Sequence, residues 1–217
     1  MKRGFFAGLV AVVVLALSGC GDNGGSPAYV TQILSDASFD GDIAKDAVTG
    51  VHTITQGNTQ SVYAGFDPAD GSELRAFLHF PLTGASGVPG NAVILHATLD
   101  IFINSIQPNP LTGTIPIRID LVDFQPPNLI ATDFDRTLQP ALATTTIFPE
   151  ISTADFGRHV PVDVTGLMVE AQRLGLADFQ VRILRDGGVV DHGLIEINDT
   201  TGPNRDNLAP LLEVAYF

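Results

Sequence analysis

Between Leu74 and Leu121, apolar side chains return at every second position over long stretches, the period of a β-strand that hides one face and wets the other. Leu74, Ala76, Leu78 and Phe80 share one face of such a strand, with Arg75, Phe77 and His79 opposite. Val93, Leu95, Ala97, Leu99, Ile101 and Ile103 line a longer one against His96, Thr98, Asp100 and Asn104. Ile115, Ile117, Ile119 and Leu121 alternate with Arg118 and Asp120, and similar runs surround Val162, Val181, Leu194 and Val214. Turn-forming clusters at 67–71, 84–90, 107–110, 125–128 and 200–204 separate the runs. Strands that each bury one face must close against one another, so the expectation is an all-β sandwich or barrel. One segment departs from this period. Leu167, Met168, Ala171 and Leu174 recur at helical spacing after Thr165, and Gly175 offers a stop, which predicts one short helix capping an open end. Met168 then belongs to the core. No repeat of propeller or solenoid length is present.

The N-terminus has a separate logic. Lys2 and Arg3 precede an almost wholly apolar run from Phe5 to Leu17, a signal-peptide layout too short to span a bilayer needing about 20 residues. The run ends Leu17-Ser18-Gly19-Cys20, which resembles the lipobox of bacterial lipoproteins, and Cys20 is the only cysteine of the chain. That resemblance implies cleavage before Cys20 and acylation of its sulfur. The chain then divides into a signal peptide at 1–19, a lipidated Cys with a flexible tether at 20–28, and one β-sandwich domain at 29–217. The Gly-rich residues after Cys20 give the tether a span on the order of 15 Å. Gly21, and not aspartate, follows the cysteine. By the resemblance this favours the outer membrane.

Charge excludes some partners. The chain carries 11 Lys+Arg against 24 Asp+Glu; without Lys2 and Arg3 the difference is 9 − 24 = −15. Nucleic acid and anionic surfaces are disfavoured, and divalent cations are the partner class such a surface attracts.

Four ordered pieces, at 73–82, 88–99, 160–165 and 209–216, resemble the secreted bacterial modules called DNRLRE-domain or carbohydrate-binding-module-like proteins. The resemblance implies a jelly-roll-like antiparallel β-sandwich and suggests glycan binding. The Asp-Asn-Arg-Leu-Arg-Glu signature itself is absent, as are the tryptophans that the family carries near positions 133–138. Any ring for stacking on sugar would come from Tyr63 or Phe77, both on strands whose other face looks buried.

Several constellations carry possible chemistry. Asp36, Asp40 and Asp42 form the densest acidic loop, and hard oxygen donors beside a glycine suit a structural calcium, which modules of the resembling kind often hold near their first strand. The competing reading is a solvated acidic turn. Residues 129–137 read like the first motif of haloacid-dehalogenase-type phosphatases, but that chemistry needs a downstream cation, and the only lysines are Lys2 and Lys45. A solvated loop is expected there. His52, His79, His96, His159 and His192 never fall at metal-ligand spacing, and there is no nucleophile elbow or phosphate loop. The expected function is a lipid-anchored envelope module for adhesion or assembly, without catalysis, held to the membrane by its anchor and contacting another envelope protein or a surface polysaccharide. A glycan-binding module is the first alternative and an envelope hydrolase the second.

Overall fold

A computed structural model describes residues 28–109, 111–124, 128–186 and 192–217. Twelve strands form in chain order: β1 (Tyr29–Leu34), β2 (Gly41–Lys45), β3 (His52–Gln56), β4 (Ser61–Phe66), β5 (Glu73–Pro81), β6 (Ile94–Asn109), β7 (Ile117–Val122), β8 (Ala143–Thr146), β9 (His159–Asp163), β10 (Asp178–Arg185), β11 (His192–Asn198) and β12 (Leu211–Tyr216). Helix α2 (Thr165–Leu174) is the one multi-turn helix among the described residues; α1 (Ala131–Phe134) and α3 (Arg205–Leu208) are single turns.

All strand pairs are antiparallel, and they follow the path β1-β12-β6-β11-β4-β5-β10-β7-β8, with β2 beside β5, β3 beside β2 and β9 beside β6. The path curls because β6 serves two layers. Its first half runs between β12 and β9, its second half pairs with β11, and the register shifts between them near Asn104. Such a bulge adds twist and lets one strand turn a corner between sheets. Inward-facing residues then meet in one core: Val62, Leu78, Phe80, Leu99, Ile101, Ile119, Phe179, Val181, Ile195 and Leu212 are all buried in it. This is the all-β, jelly-roll-like sandwich that the alternation and the resemblance imply.

Helix α2 closes one end with Leu167, Met168 and Ala171 buried, and Gly175 ends it in the left-handed conformation at φ 68°. A second glycine is dictated by close approach. Gly65 on β4 has φ 123°, and a Cβ there would lie 2.1 Å from the Gly193 carbonyl oxygen.

Two expectations need correction, one at the start of β6 and one on β7. Val93 and Leu95 were assigned to its apolar face, yet both are exposed, because the register with β12 shifts between Ala215 and Tyr216 and turns the strand's first residues out of phase with the core. Asp120, assigned to the wet face of β7, is fully buried.

Candidate functional site

The chain leaves β1 through a tight turn in which Asp36 Oδ1 accepts the Ser38 N–H at 3.0 Å and the Asp36 carbonyl accepts from Phe39 and Asp40. This delivers the Asp40 side chain into the interior, where Oδ1 accepts the His79 N–H of β5 at 2.7 Å. From the other end of the sequence, Asp199 follows β11 and is equally buried; its backbone N–H donates to the Gln60 carbonyl, and its Oδ2 accepts from Thr59 Oγ1 at 3.4 Å. The Asp40 and Asp199 carboxyls are near enough for each to alter the other's ionisation, and among the described residues Asp40 Oδ2 and Asp199 Oδ1 are buried without a hydrogen-bond partner. Arg205 of α3 completes the group: its guanidinium lies 3.5 Å from Asp199 Oδ1, donates to the Thr200 carbonyl at 3.0 Å, and donates to the Ser35 carbonyl at the exit of β1.

The charge count decides the state of this centre. Two carboxyls face one guanidinium, so a single proton neutralises it. Burial, and then the negative charge of Asp199, push the Asp40 carboxyl well above the usual range, and burial pushes Asp199 up to about 6 despite Arg205. Burial thus favours the protonated form of both carboxyls, against the pull of Arg205 on Asp199. Joined this way, the turn after β1 is latched to the turn before β12.

Asp36, Asp40 and Asp42 do not converge. Asp36 caps its own turn, Asp40 engages His79 and Asp199, and Asp42 Oδ2 accepts the Tyr63 N–H of β4 at 3.3 Å. Burial alone carries Asp42 up to about 7, since the one backbone N–H only partly offsets the lost water. Among the described residues, no group of three or more His, Cys, Asp and Glu side chains could hold a metal ion. As a set the three aspartates do not fit a calcium cage. Cys20 lies outside the described residues.

A second buried centre lies on the outer face of β5, β10 and β7, under the segment that follows β7. Arg182 and Asp120, both fully buried, pair at 2.8 Å, and Arg182 also donates to the carbonyls of Asp133 and Gln139 at 2.7 and 3.1 Å. Arg136 adds a donor to the same Asp120 oxygen at 3.0 Å. Around this polar knot, Ile43, Phe77, Val122, Phe124, Leu129 and Phe134 form a small apolar cluster of their own. The Arg75 guanidinium stacks 3.9 Å above the Phe134 ring. Residues 129–137, expected as a solvated loop, thus form a strap over the sheet with Leu129, Asp133 and Phe134 buried, because Arg182 takes the Asp133 carbonyl and Phe134 joins Phe77 in the apolar cluster on this outward face. Phe77 is accordingly no sugar platform, and Tyr63 is half-buried beside Glu196 and Asp42. A cleft of about 390 Å³ opens at the strap between Asp123, Asn128, Ile130, Asp133 and Gln139.

Four histidines engage separate partners. His79 packs on Phe39 and lies 3.5 Å from Asp178, His96 bonds Thr98 and Thr165, His159 meets Asp100 at 2.9 Å, and His52 sits against Phe134. Sequence reasoning missed Asp199, Arg205 and Arg182. A carboxylate or guanidinium within an otherwise apolar strand is a signal that alternation offers, and Asp120 and Arg182 carry it.

No protein-family model and no curated protein matches the sequence. Among solved structures, the chain is similar, at a TM-score of 0.22 and 11% identity, to a chain in the structure of infectious bursal disease virus Gx strain. The match covers 93% of this chain and 40% of that one. A likeness this distant carries no argument.

Proposed function

We propose that this chain is a lipid-anchored module of the bacterial cell envelope that holds or binds other envelope components and does not act as a catalyst. The observation that carries the reading is the sequence Leu17-Ser18-Gly19-Cys20 after a charged, then apolar, N-terminus, followed within nine residues by the first strand of a sandwich. The interior is consistent with a holding role: its buried ions, Asp40 with Asp199 and Arg205, and Arg182 with Asp120 and Arg136, tie turns and a strap to the sheet. Partners would be the membrane through the anchor, another envelope protein, or a surface polysaccharide. The polysaccharide arm has one specific support, since Phe148 and Phe156, on the connection between β8 and β9, expose 92% and 63% of their surface.

Feeding cells an alkyne fatty acid and fractionating their membranes tests the anchor. Wild type should carry the label and sediment with membranes, whereas Cys20→Ser should lose both properties. A serine variant that still takes up label and stays in the membrane would end the reading. For the glycan arm, Phe148→Ala with Phe156→Ala should weaken retention on cell-wall or capsular polysaccharide without changing the melting temperature.

A further inference from the structure

Three neighbouring strands end together beside the point where the chain enters the fold. Tyr29 of β1 pairs with Tyr216 of β12, and Tyr216 pairs with Ile94 of β6. Val93 and Phe217 exchange both backbone hydrogen bonds at 2.7 and 3.1 Å, which extends the ladder by one more rung. At this rim Tyr29, Val30, Val93, Leu95 and Phe217 are each between 45% and 63% exposed, so large apolar side chains cluster in water where a single one would need no explanation. The Tyr29 and Tyr216 rings stack with centroids 5.9 Å apart.

Charge singles out the same place. Segments 28–35, 82–99 and 214–217 build the rim, the latter two joined to the first by the β1-β12-β6 ladder and by Thr31 Oγ1 donating to the Ser86 carbonyl. None of the three contains Asp, Glu, Lys or Arg. In a chain with 24 acidic residues, the segments that form this rim carry none of their own, and the first of them is the one that the tether leads into. From Cys20 to Tyr29 the chain can extend at most about 30 Å.

We propose that this rim docks on the bilayer that holds the anchor, laying Val30, Val93, Leu95 and Phe217 against the lipid interface with the tyrosines at headgroup level. The inference rests on the lipid-anchor reading. Aliphatic and aromatic side chains partition into the interface, tyrosine rings favour its boundary, and a surface without ionic groups has no charge to desolvate there. Docking would fix the orientation of the domain: the β2–β3 hairpin, which pairs with the opposite end of β5, would point away from the membrane.

The test uses the full acylated protein in phosphatidylcholine vesicles. Because Cys20 is the only native cysteine, a cysteine introduced at Leu95 or at Val48, in the β2–β3 hairpin, can carry an environment-sensitive dye. Lipids brominated on the upper acyl chain should quench the Leu95 probe severalfold more than the Val48 probe. Val30→Ser with Val93→Ser should remove that difference while circular dichroism stays unchanged, since both side chains are already exposed. Equal quenching at the two sites, with mass spectrometry confirming acyl chains on Cys20, would overturn docking and leave the anchor intact. An unacylated Cys20 would instead remove the anchor reading and this inference with it. A shielded but unquenched Leu95 probe, accompanied by a dimeric mass, would assign the rim to a second copy of the chain and refute the bilayer as its partner.

Discussion

Arg182 and Asp120 meet at 2.8 Å on neighbouring strands with neither side chain exposed to water. Burying two ions is expensive, and the pair is tolerated because Arg182 also finds two strap carbonyls and Asp120 a second guanidinium from Arg136. Removing one member strands the other. Arg182→Met and Asp120→Asn should each cost about 3 to 5 kcal/mol in urea unfolding, and Arg182→Met with Asp120→Leu should recover much of the loss. Single-variant losses below about 1 kcal/mol would mean that the strap does not depend on this pair.

Leu99 and Thr98 test the register of β6. Leu99 is fully buried, while Thr98 faces outward between Glu213 of β12 and Asp163 of β9. Leu99→Asp should prevent cooperative folding, because it places a carboxylate in the main core. Thr98→Lys should be neutral or mildly stabilising, because it sets a cation between two cross-strand acids. Thr98→Asp, adding a third carboxylate to that row, should be intermediate. Thermal melts that rank the three variants differently would refute the register.

The buried acids set a pH dependence with a definite sign. Asp42 and Asp199 are raised from an ordinary 3.8 to about 7 and about 6, and Asp40 is raised as well. Through this range the folded state holds more protons than the unfolded state, so stability falls as pH rises. The contribution is fully present below about 3.8 and is lost as pH climbs through about 7. Asp42→Asn keeps an acceptor for the Tyr63 N–H and removes the buried charge. It should leave the melting temperature at pH 4 unchanged and raise it by several degrees at pH 8. An equal shift at both values would sever Asp42 from the pH profile.

Metal addition separates a coordination site from screening. With Asp36, Asp40 and Asp42 turned to three different partners, calcium and magnesium at matched ionic strength should shift the melting temperature equally, and Asp40→Asn should not change their difference. A calcium-specific rise, approaching the ~2.7 kcal/mol expected at 100 times a dissociation constant and lost in Asp40→Asn, would establish a cation site at Asp40.

The sandwich, the capping helix with its glycine stop, and most of the later strands were legible because alternation at period two or recurrence at 3.6 marks them directly. Strands β1 to β4 and β8 were harder to read. The β8 segment Ala143-Thr144-Thr145-Thr146 has almost no apolar alternation, and β3 is largely exposed, so neither announces a buried face. The carboxylate pair lay beyond sequence reasoning for a different reason: Asp40 and Asp199 sit at opposite ends of the chain, and only the closure of the sandwich brings them together. Asp36 and Asp42, adjacent to Asp40 in sequence, are separated from it by the turn and by the pleat.

The pairing of Tyr29 with Tyr216 also imposes a timetable. Among the described residues the leading strand pairs with no strand but the closing one, so almost the entire chain must arrive before β1 can join its sheet. Contacts of such long sequence separation form late. On the proposed lipid-anchor reading, the leading strand of a chain that crosses a membrane N-terminus first would wait unpaired until translocation is complete. Attachment to lipid at Cys20 would then come before folding, and the finished sandwich would assemble against a bilayer already in place.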